Sequence, residues 1–432
     1  MKFLRVIGTG AILAVSAVIC FGQDSSGFKI IPTGCASMDV GEVVEGYDKN
    51  AGEISMVEYN RIFLRTGLNV QLNEKTKFAG SMEVKVFNEF PRLVKLGATR
   101  RFYYYFYVHQ AELVRRIVDA DGLQLDVGGG YFPYKYNPDA RNLGEYLFRS
   151  TAYPQTLTTE FDFSFTRLAG FYAQGVYTWG IHKFDLDLIT NLNTEWMAIG
   201  DVNLSVIGSY NLARVIEIGA GVEIGSLISA DEKTTTPTSG ATKYYNGTDT
   251  SQCYTFRGTK VMGRCSFDPK KFLSFSIFGD EDLKLYGEAS LLGLKNYGVA
   301  LRSPVWYNSI LERIPVMAGF NLPVFKLLDV LSLEGEWWGN RYPNSMQGIV
   351  DDGLPLPFLE GTPAIDSTKY KGDNIKWSVF GAKSFARYYR ISFQAASDHM
   401  RTFAWDWNRQ DWEESLRSPK KWYCVVRFGI MF

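Results

Sequence analysis

This 432-residue sequence has few histidines, no excess of charge of either sign and few long apolar runs. Only three histidines occur, which leaves little material for an enzyme or metal site built on imidazole groups. Lysine plus arginine and aspartate plus glutamate both number 46. This balance argues against a nucleic-acid surface, which requires a basic excess. After the N-terminal segment, no stretch reaches the roughly 18 apolar residues of a membrane-spanning helix.

Catalytic patterns are also missing from the sequence. His109, His182 and His399 have no marked serine partner, and there is no nucleophile elbow, metal-ligand cluster or phosphate loop. The acidic residues at 351–352 and Asp373 allow a surface calcium site, but ordinary turn residues explain them better. The sequence therefore predicts a protein that is not an enzyme, with no catalytic, cofactor-binding or metal residues.

The N-terminal segment has the pattern of an export signal. A short basic start precedes an apolar stretch, and Cys20 and Gly22 suit the small-residue positions of a signal-peptidase site. We expect residues 1–22 to be a signal peptide cleaved after about Gly22, and 23–432 to form a single domain. A lipid-modified Cys20 is the weaker alternative, because Ile19 occupies a position that normally holds a small residue.

Most of the remaining chain alternates between apolar and polar residues, which is typical of strands with one face buried or in lipid. Aromatic residues make up 15% of the chain. The stretch WYCVVRFGIMF shows the alternation well. Its apolar face consists of Trp422, Cys424, Val426, Phe428, Ile430 and Phe432.

Short and long connections between these strands mostly alternate. Short turns occur at Asn73–Lys75 and Asp119–Gly122, among others. The long segments are about 135–167, 229–267, 297–312, 341–373 and 401–418. This arrangement predicts an all-β fold, a transmembrane antiparallel β-barrel. A soluble sandwich or β-helix is the alternative, but a solenoid would show a fixed period.

Counting the strands backwards from Phe432 gives about sixteen. The first strand, at Ser37–Tyr47, and one near 268–277 are weakly patterned, so fourteen and eighteen strands stay open. In the polar segment 229–267, Cys253 and Cys265 could form a disulfide, which an exported chain permits.

The whole mature chain resembles bacterial outer-membrane barrels of the porin type, and the closing strand that ends in Phe432 looks like the sorting signal of that class. The resemblance implies location in the outer membrane of a Gram-negative bacterium. It also implies a lipid bilayer, the barrel-assembly machinery and small hydrophilic solutes as partners, with homo-oligomers common in the class. No nucleic-acid partner is expected.

One long insertion has a helical pattern within this chain of strands. The stretch NPDARNLGEYLFRS, 137–150, offers Asn137 as a cap and Pro138 as the first helical residue. The segment 135–167 joins the fifth and sixth predicted strands. In the porins that the chain resembles, the loop at this position folds into the barrel and narrows the pore.

That resemblance implies a pore constriction built from the insertion and an early strand. Its charged members would be Asp139, Arg141, Glu145 and Arg149, with Arg61 and Arg65 facing them from the wall. An outer loop that packs on the rim of the barrel is the alternative. Because acids and bases are equal in number in the insertion, the sequence indicates no ion preference.

We therefore expect a porin-like channel for passive diffusion of small hydrophilic solutes. The alternative is a surface-binding or structural barrel that recognises polysaccharide or a cell surface and has a blocked lumen. A transporter for hydrophobic substrates is a third hypothesis. Trp337 and Trp338 are adjacent, so one of them must face the lumen, where aromatic faces could bind sugar rings. The sequence does not identify the solute.

Overall fold

The computed structural model of the chain describes most of the strands and part of their connections. The described residues are 28–48, 52–88, 102–149, 166–194, 200–228, 243–246, 249–255, 258–272, 276–294, 310–338, 374–403 and 410–432. The predicted signal peptide, 1–22, lies outside them, as do the candidate calcium residues at 351–352 and Asp373.

Twenty strands and three short helical elements occur in the described residues. The strands are β1 (Lys29–Asp48), β2 (Gly52–Asn73), β3 (Thr76–Asn88), β4 (Phe102–Ala120), β5 (Leu123–Tyr134), β6 (Thr166–Trp179), β7 (His182–Leu192), β8 (Val202–Leu212), β9 (Ile216–Ile228), β10 (Lys243–Asn246), β11 (Asp249–Thr255), β12 (Gly258–Phe267), β13 (Leu285–Leu291), β14 (Val316–Asn321), β15 (Val330–Trp337), β16 (Ile375–Phe385), β17 (Tyr389–Ser397), β18 (Arg401–Phe403), β19 (Gln410–Glu414) and β20 (Trp422–Met431). The helical elements are α1 (Tyr146–Arg149) and the 3-10 turns Pro269–Phe272 and Ile310–Arg313.

Sixteen of these strands form one closed antiparallel barrel, in which every strand has a neighbour on both sides. The ring closes where β1 pairs with β20, and there Asp39 lies directly opposite Arg427. The pairs β10–β11 and β18–β19 are separate two-stranded hairpins. A closed sheet has no edge that exposes unpaired backbone groups. A lipid environment requires this pairing, because it offers no water to bond such groups. The predicted barrel of about sixteen strands is confirmed.

Alternation along each strand separates an apolar outer face from a polar inner face. On β15, Leu333 and Trp337 are exposed on the outside, whereas Glu334 and Glu336 are buried. On β20, Val426, Phe428 and Ile430 are exposed in the same way. The outer surface is therefore apolar enough to contact lipid, while charged groups face the lumen. Among the described residues, no helix is long and apolar enough to cross a membrane.

One predicted strand is misplaced. The strand expected near 268–277 is a connection that begins with the 3-10 turn Pro269–Phe272. The barrel strand is β12, which lies inside the segment 229–267 predicted as an outer loop. Its outward residues include Gly263 and Cys265, so its apolar face is weak and the alternation does not stand out from the polar loop before it.

Short turns join the strands at one end of the barrel, as predicted. The turn between β4 and β5 places Asp121 and Gly122 at φ values of 46° and 82°. The turn between β8 and β9 places Ala213 and Arg214 at 54° and 58°. Left-handed backbone at both central residues matches the twist of two paired strands, which explains why the turns can be so short.

Candidate functional site

After β5 the chain leaves the barrel wall and runs through the lumen. Residues 135–149, here called the inner segment, pack on the inner face of the wall between β8 and β15. Tyr146, Leu147 and Phe148 have no exposed surface. Leu147 and Phe148 belong to a buried cluster with Ile207 of β8 and Met262 of β12. The position of the segment between the fifth and sixth barrel strands is the predicted one.

Only the last turn of the predicted helix forms. The inner segment is irregular from 135 to 145 and becomes helical at α1. Gly144 and Glu145 have φ values of 90° and 63°, and left-handed backbone cannot continue into a helix. Asn137 does not act as a helix cap, because its side chain donates a hydrogen bond to Glu288 on β13, at 2.8 Å. The predicted helical insertion is therefore confirmed by α1, but the prediction that its helix starts near Asn137 is wrong.

Two carboxylates of the wall, here called the anchoring carboxylates, bind the backbone of the inner segment. Glu334 accepts hydrogen bonds from the N–H groups of Arg141, Asn142 and Leu143, at 2.5, 2.9 and 3.0 Å. These three consecutive N–H groups have no partner within a helix or sheet. A buried N–H without a partner is costly, so the carboxylate fixes this irregular stretch of the segment.

The second anchoring carboxylate, Glu288, binds the segment at two points. Its oxygens accept hydrogen bonds from the N–H groups of Glu145 and Tyr146, at 3.1 and 2.9 Å. It also accepts hydrogen bonds from the Tyr136 hydroxyl, at 2.6 Å, and from the amide of Asn137. The carboxylate thus occupies the start of α1, where free N–H groups favour negative charge.

Glu145 is a buried acid within the segment itself. Its carboxyl oxygens accept hydrogen bonds from the N–H groups of Asn137, at 2.6 Å, and of Tyr136, at 3.4 Å. Burial and the neighbouring charge of Glu288 raise the pKa of Glu145 to about 8, against the opposing effect of Lys135. At neutral pH this acid therefore holds a proton in a large fraction of molecules.

A second buried network connects the segment to the connection after β17. The Tyr146 hydroxyl donates to Glu336 at 2.8 Å. Glu336 and Glu414 lie at 2.6 Å from the two ring nitrogens of His399. Lys376 of β16 pairs with Glu414 at 3.0 Å. All of these side chains are buried, so the network fixes one orientation of Tyr146 against the wall.

Trp337 and Trp338 face opposite sides of the wall, as the alternation predicts. Trp337 is exposed on the outer face. Trp338 is buried beneath the segment, with its ring centroid 5.8 Å from that of Tyr146 and 4.3 Å from that of His399. Trp338 supports the inner segment and has no free face for a sugar ring.

The structure divides the six predicted constriction residues into two groups. Asp139, Glu145 and Arg149 are buried in the inner segment and do not line the open lumen. Asp139 pairs with Lys284 at 3.3 Å. Burial raises the pKa of Asp139, but the stronger effect of Lys284 and of further hydrogen bonds holds it below its ordinary value.

The other three predicted residues, Arg61, Arg65 and Arg141, line one cavity. This cavity, here called the cationic cavity, has a volume of about 430 Å³ and is bounded by the inner segment and by strands on both sides of the seam between β1 and β20. Arg141 reaches it from the segment and pairs with Glu281. These three residues therefore lie at one cavity, and their role in a constriction stays a prediction.

A smaller cavity of about 250 Å³ lies beside β5, β6 and β7. Tyr134, Tyr172 and Asp187 line it, and the Tyr134 hydroxyl donates to Asp187 at 2.5 Å. Lys135 lines both cavities. The open part of the lumen therefore follows the wall that the inner segment does not cover, and charged or hydroxyl-bearing side chains border it.

The remaining predicted residues have clear positions. Phe432 pairs with Gly34 of β1 through backbone hydrogen bonds of 2.8 and 2.9 Å, and its role as a sorting signal stays a prediction. Cys265 is a free cysteine exposed on the outer face of β12. A free thiol at Cys265 contradicts the predicted disulfide with Cys253, whose side chain lies outside the described residues.

Sequence reasoning missed the anchoring role of Glu288 and Glu334. Both belong to the polar face of a predicted strand, but so do wall residues such as Asp126 and Glu217, which bond other wall side chains instead. The signal that sets them apart is the irregular stretch of the insertion, because its N–H groups need acceptors that the segment cannot supply. The alternation alone does not show which wall residues lie against that stretch.

No family model matches the chain, and no curated protein matches it. Among solved structures, the chain is similar in fold to a triple variant of the Rhodopseudomonas blastica porin, with 8% identity and a TM-score of 0.41 over 94% of this chain and 100% of that one. A structure described as engineered proteins of asymmetric conductivity matches with 7% identity and a TM-score of 0.39 over the same shares. These values are too low to carry an argument about function. The structure itself shows a closed β-barrel of sixteen antiparallel strands, as the sequence predicted.

Proposed function

We propose that the protein is a porin-like channel of the bacterial outer membrane, through which small hydrophilic solutes diffuse passively. The observation that carries this proposal is the open, charge-lined space between the inner segment and the wall at the seam. A barrel whose only task is structural has no need to leave Arg65 and Arg427 partly exposed inside the ring, at 27% and 40% of their side-chain surface.

The mechanism would be passage without a covalent step. Solutes would exchange part of their hydration for contacts with the polar wall, and the inner segment would set the cross-section. Because the segment is fixed by two anchoring carboxylates and a buried apolar cluster, that cross-section would be constant in time. Arg61, Arg65 and Arg141 would act at the constriction. Asp139, Glu145 and Arg149 would act by holding the segment in place.

A blocked lumen is the competing possibility, and the close packing of the inner segment is the observation that favours it. In that case the barrel would serve surface recognition through its outer connections. The two functions differ in a measurable property, because a blocked barrel passes no steady current.

The decisive experiment is single-channel recording of the refolded protein in planar bilayers. We expect steady, ohmic steps for the wild-type chain and larger steps when 137–149 is replaced by a short Gly–Ser linker. Removing 243–255, a stretch of equal length that forms the separate β10–β11 hairpin, is the control for loss of chain. We expect it to leave the step size closer to that of the wild type. Absence of conductance in both the wild type and the 137–149 variant would refute the channel.

A further inference from the structure

Cationic side chains collect on one side of the lumen, around the seam between β1 and β20. Seven lysine or arginine side chains line the cationic cavity, against a single carboxylate, that of Glu83. The chain as a whole has no net charge, so this excess is a local property of the wall.

The first part of this cluster is a row across three adjacent strands. Arg427 of β20, Asp39 of β1 and Arg61 of β2 lie directly opposite one another in register. Arg427 donates to Asp39 through Nε at 2.6 Å and Nη2 at 2.8 Å, and Arg61 donates through Nε at 2.9 Å. One carboxylate therefore lies between two guanidinium groups, and the row carries an excess of one positive charge.

Arg390 of β17 adds a positive charge without a partner of its own. It lies opposite Gly429, two residues along β20 from Arg427 and on the same face of the sheet. Its side chain is exposed to the lumen, and it forms no ion pair with any described residue. Asp329 acts on it electrostatically, but that carboxylate pairs with Lys383 at 3.4 Å.

The third part comes from β2 and β3. Arg65 pairs with Glu83 through Nε at 3.0 Å and Nη2 at 2.8 Å. Lys85 follows two residues later on the same face of β3 and also lines the cavity. Glu83 must therefore serve two cationic neighbours, and the excess of positive charge continues along this side of the wall.

The acids of the inner segment do not offset this excess. Asp139 is occupied by Lys284, and Glu145 is buried with no exposed surface. From the segment, the cavity receives the side chains of Lys135, Arg141 and Asn142 instead. The segment therefore presents further cations to the lumen, although its sequence contains two acids beside its three bases.

We propose that the cationic cavity binds small oxyanions, solutes that carry phosphate or carboxylate groups, and that the channel passes anions in preference to cations. This inference rests on the proposed function and adds the class of solute to it. Guanidinium groups bind phosphate and carboxylate through paired hydrogen bonds. Arg390 and the one guanidinium nitrogen of Arg427 that does not bond Asp39, Nη1, are available to supply such bonds in the cavity. A wall of one charge inside a low-dielectric ring also raises the local concentration of the opposite ion.

The first test measures ion preference in planar bilayers. With a tenfold gradient of potassium chloride, we expect a reversal potential with the sign of chloride selectivity, most marked at low ionic strength, where charges are screened least. Arg390→Gln should lower the chloride-to-potassium permeability ratio by about threefold and Arg390→Glu by about tenfold, since each unit of charge acts on the permeating ion across several ångströms of water. Lys75→Gln, which removes a positive charge on the exposed β2–β3 turn, is the matched control and should leave the ratio unchanged.

Three outcomes separate this inference from the channel proposal. A steady conductance that prefers potassium overturns the anion preference and leaves the channel intact. A chloride-to-potassium permeability ratio that Arg390→Glu leaves unchanged does the same. Absence of conductance refutes the channel, and binding then decides the site. Inorganic pyrophosphate is titrated into the protein in detergent micelles. Saturable binding to the wild type supports the oxyanion site if the double variant Arg390→Gln, Arg427→Gln binds pyrophosphate at least about tenfold more weakly. Absence of binding to the wild type refutes the site.

Discussion

The carboxylate of Glu334 on β15 accepts the backbone N–H of Asn142 at 2.9 Å, across 192 positions of the sequence. The contact joins the barrel wall to the inner segment, and it is a charge-assisted hydrogen bond between two groups that water does not reach. The same carboxylate also binds the N–H groups of Arg141 and Leu143. One wall carboxylate therefore binds the backbone of all three residues 141–143 of the inner segment.

Removing this carboxylate should release the middle of the inner segment. Glu334→Ala leaves three N–H groups without this acceptor, two of them in buried residues, and one such buried group costs about 1–3 kcal/mol. We expect backbone amides 141–143 to exchange hydrogen at least about tenfold faster than in the wild type. Hydrogen exchange followed by mass spectrometry measures this rate, and single-channel recordings should show added current noise from the same motion.

Two further variants make the Glu334 experiment specific. Glu334→Gln keeps one oxygen acceptor and should give an intermediate exchange rate. Glu74→Ala removes a carboxylate from the exposed β2–β3 turn and should behave as the wild type does. If amides 141–143 are protected from hydrogen exchange as well in Glu334→Ala as in the wild type, the anchoring role of Glu334 is wrong.

Gly144 permits the turn into α1, and replacing it should disturb the segment. Its φ is 90°, and an added Cβ would lie 2.8 Å from the Met317 Cε and 3.2 Å from a Glu288 oxygen. Gly144→Ala thus combines backbone strain with a steric clash, and we expect a loss of about 1–3 kcal/mol in unfolding free energy. Urea titration followed by tryptophan fluorescence measures it.

Gly335→Ala is the matched control for this substitution. Gly335 lies on the outer face of β15, and an added Cβ there meets no atom within 4 Å. We expect a change of at most about 0.5 kcal/mol. Equal effects of the two substitutions would show that the left-handed backbone at Gly144 is not what shapes the segment.

The barrel itself could be predicted from the sequence because its signal is repeated in almost every strand. The alternation on β20, from Trp422 to Phe428, is one instance, and an error in one strand does not change the ring. The misplaced strand at β12 illustrates this. Its outward face includes Gly263 and Cys265, yet the count of sixteen survives because the neighbouring strands fix the direction of the chain.

The candidate site could be predicted only in part, because it depends on contacts between distant residues. The pattern at 137–150 correctly indicated an insertion that differs from its surroundings, and Arg61, Arg65 and Arg141 do line one cavity. The helix expected from Asn137 does not form. Local capping preferences there compete with the long-range bonds to Glu288, which no local pattern contains.

The inner segment should be held more firmly at acidic than at alkaline pH through Glu145. Burial and Glu288 raise the pKa of Glu145 to about 8, above its value in the unfolded chain. A raised pKa means that the folded state binds the proton more tightly, so this contribution is complete below about pH 4.5 and falls as the pH rises towards 8. Hydrogen exchange of amides 136–137, corrected for intrinsic rates, should show less protection at pH 9 than at pH 6.

Glu145→Gln tests this assignment, because a permanently neutral side chain cannot titrate. The variant should keep an acceptor for the N–H of Asn137 and show the same protection at pH 6 and pH 9. A difference between the two pH values that persists in the variant would assign the effect to another group. Asp139 is not that group, since its lowered pKa keeps it ionised throughout this range.

His399 should stabilise the barrel as a charged group, because both of its ring nitrogens face carboxylates. Nδ1 and Nε2 lie at 2.6 Å from Glu414 and Glu336, and only an imidazolium donates from both nitrogens. Burial lowers the pKa of His399, but Glu414 and Glu336 outweigh this effect and raise it to about 9. The folded pKa exceeds the unfolded value, so the stabilisation is complete below about pH 6.5 and is lost as the pH rises through 9.

His399→Gln removes the charge and leaves two buried carboxylates with a poorer partner. We expect a loss of about 3–5 kcal/mol in unfolding free energy at pH 7, the cost of breaking a buried ion pair. The loss should be much smaller at pH 10, where the wild-type imidazole is neutral as well. His182→Gln is the control, because the His182 side chain is partly exposed and, among the described residues, hydrogen-bonds only the Tyr210 hydroxyl, at 2.6 Å. A destabilisation by His399→Gln that is the same at both pH values would show that packing beside Trp338, rather than charge, is what the imidazole contributes.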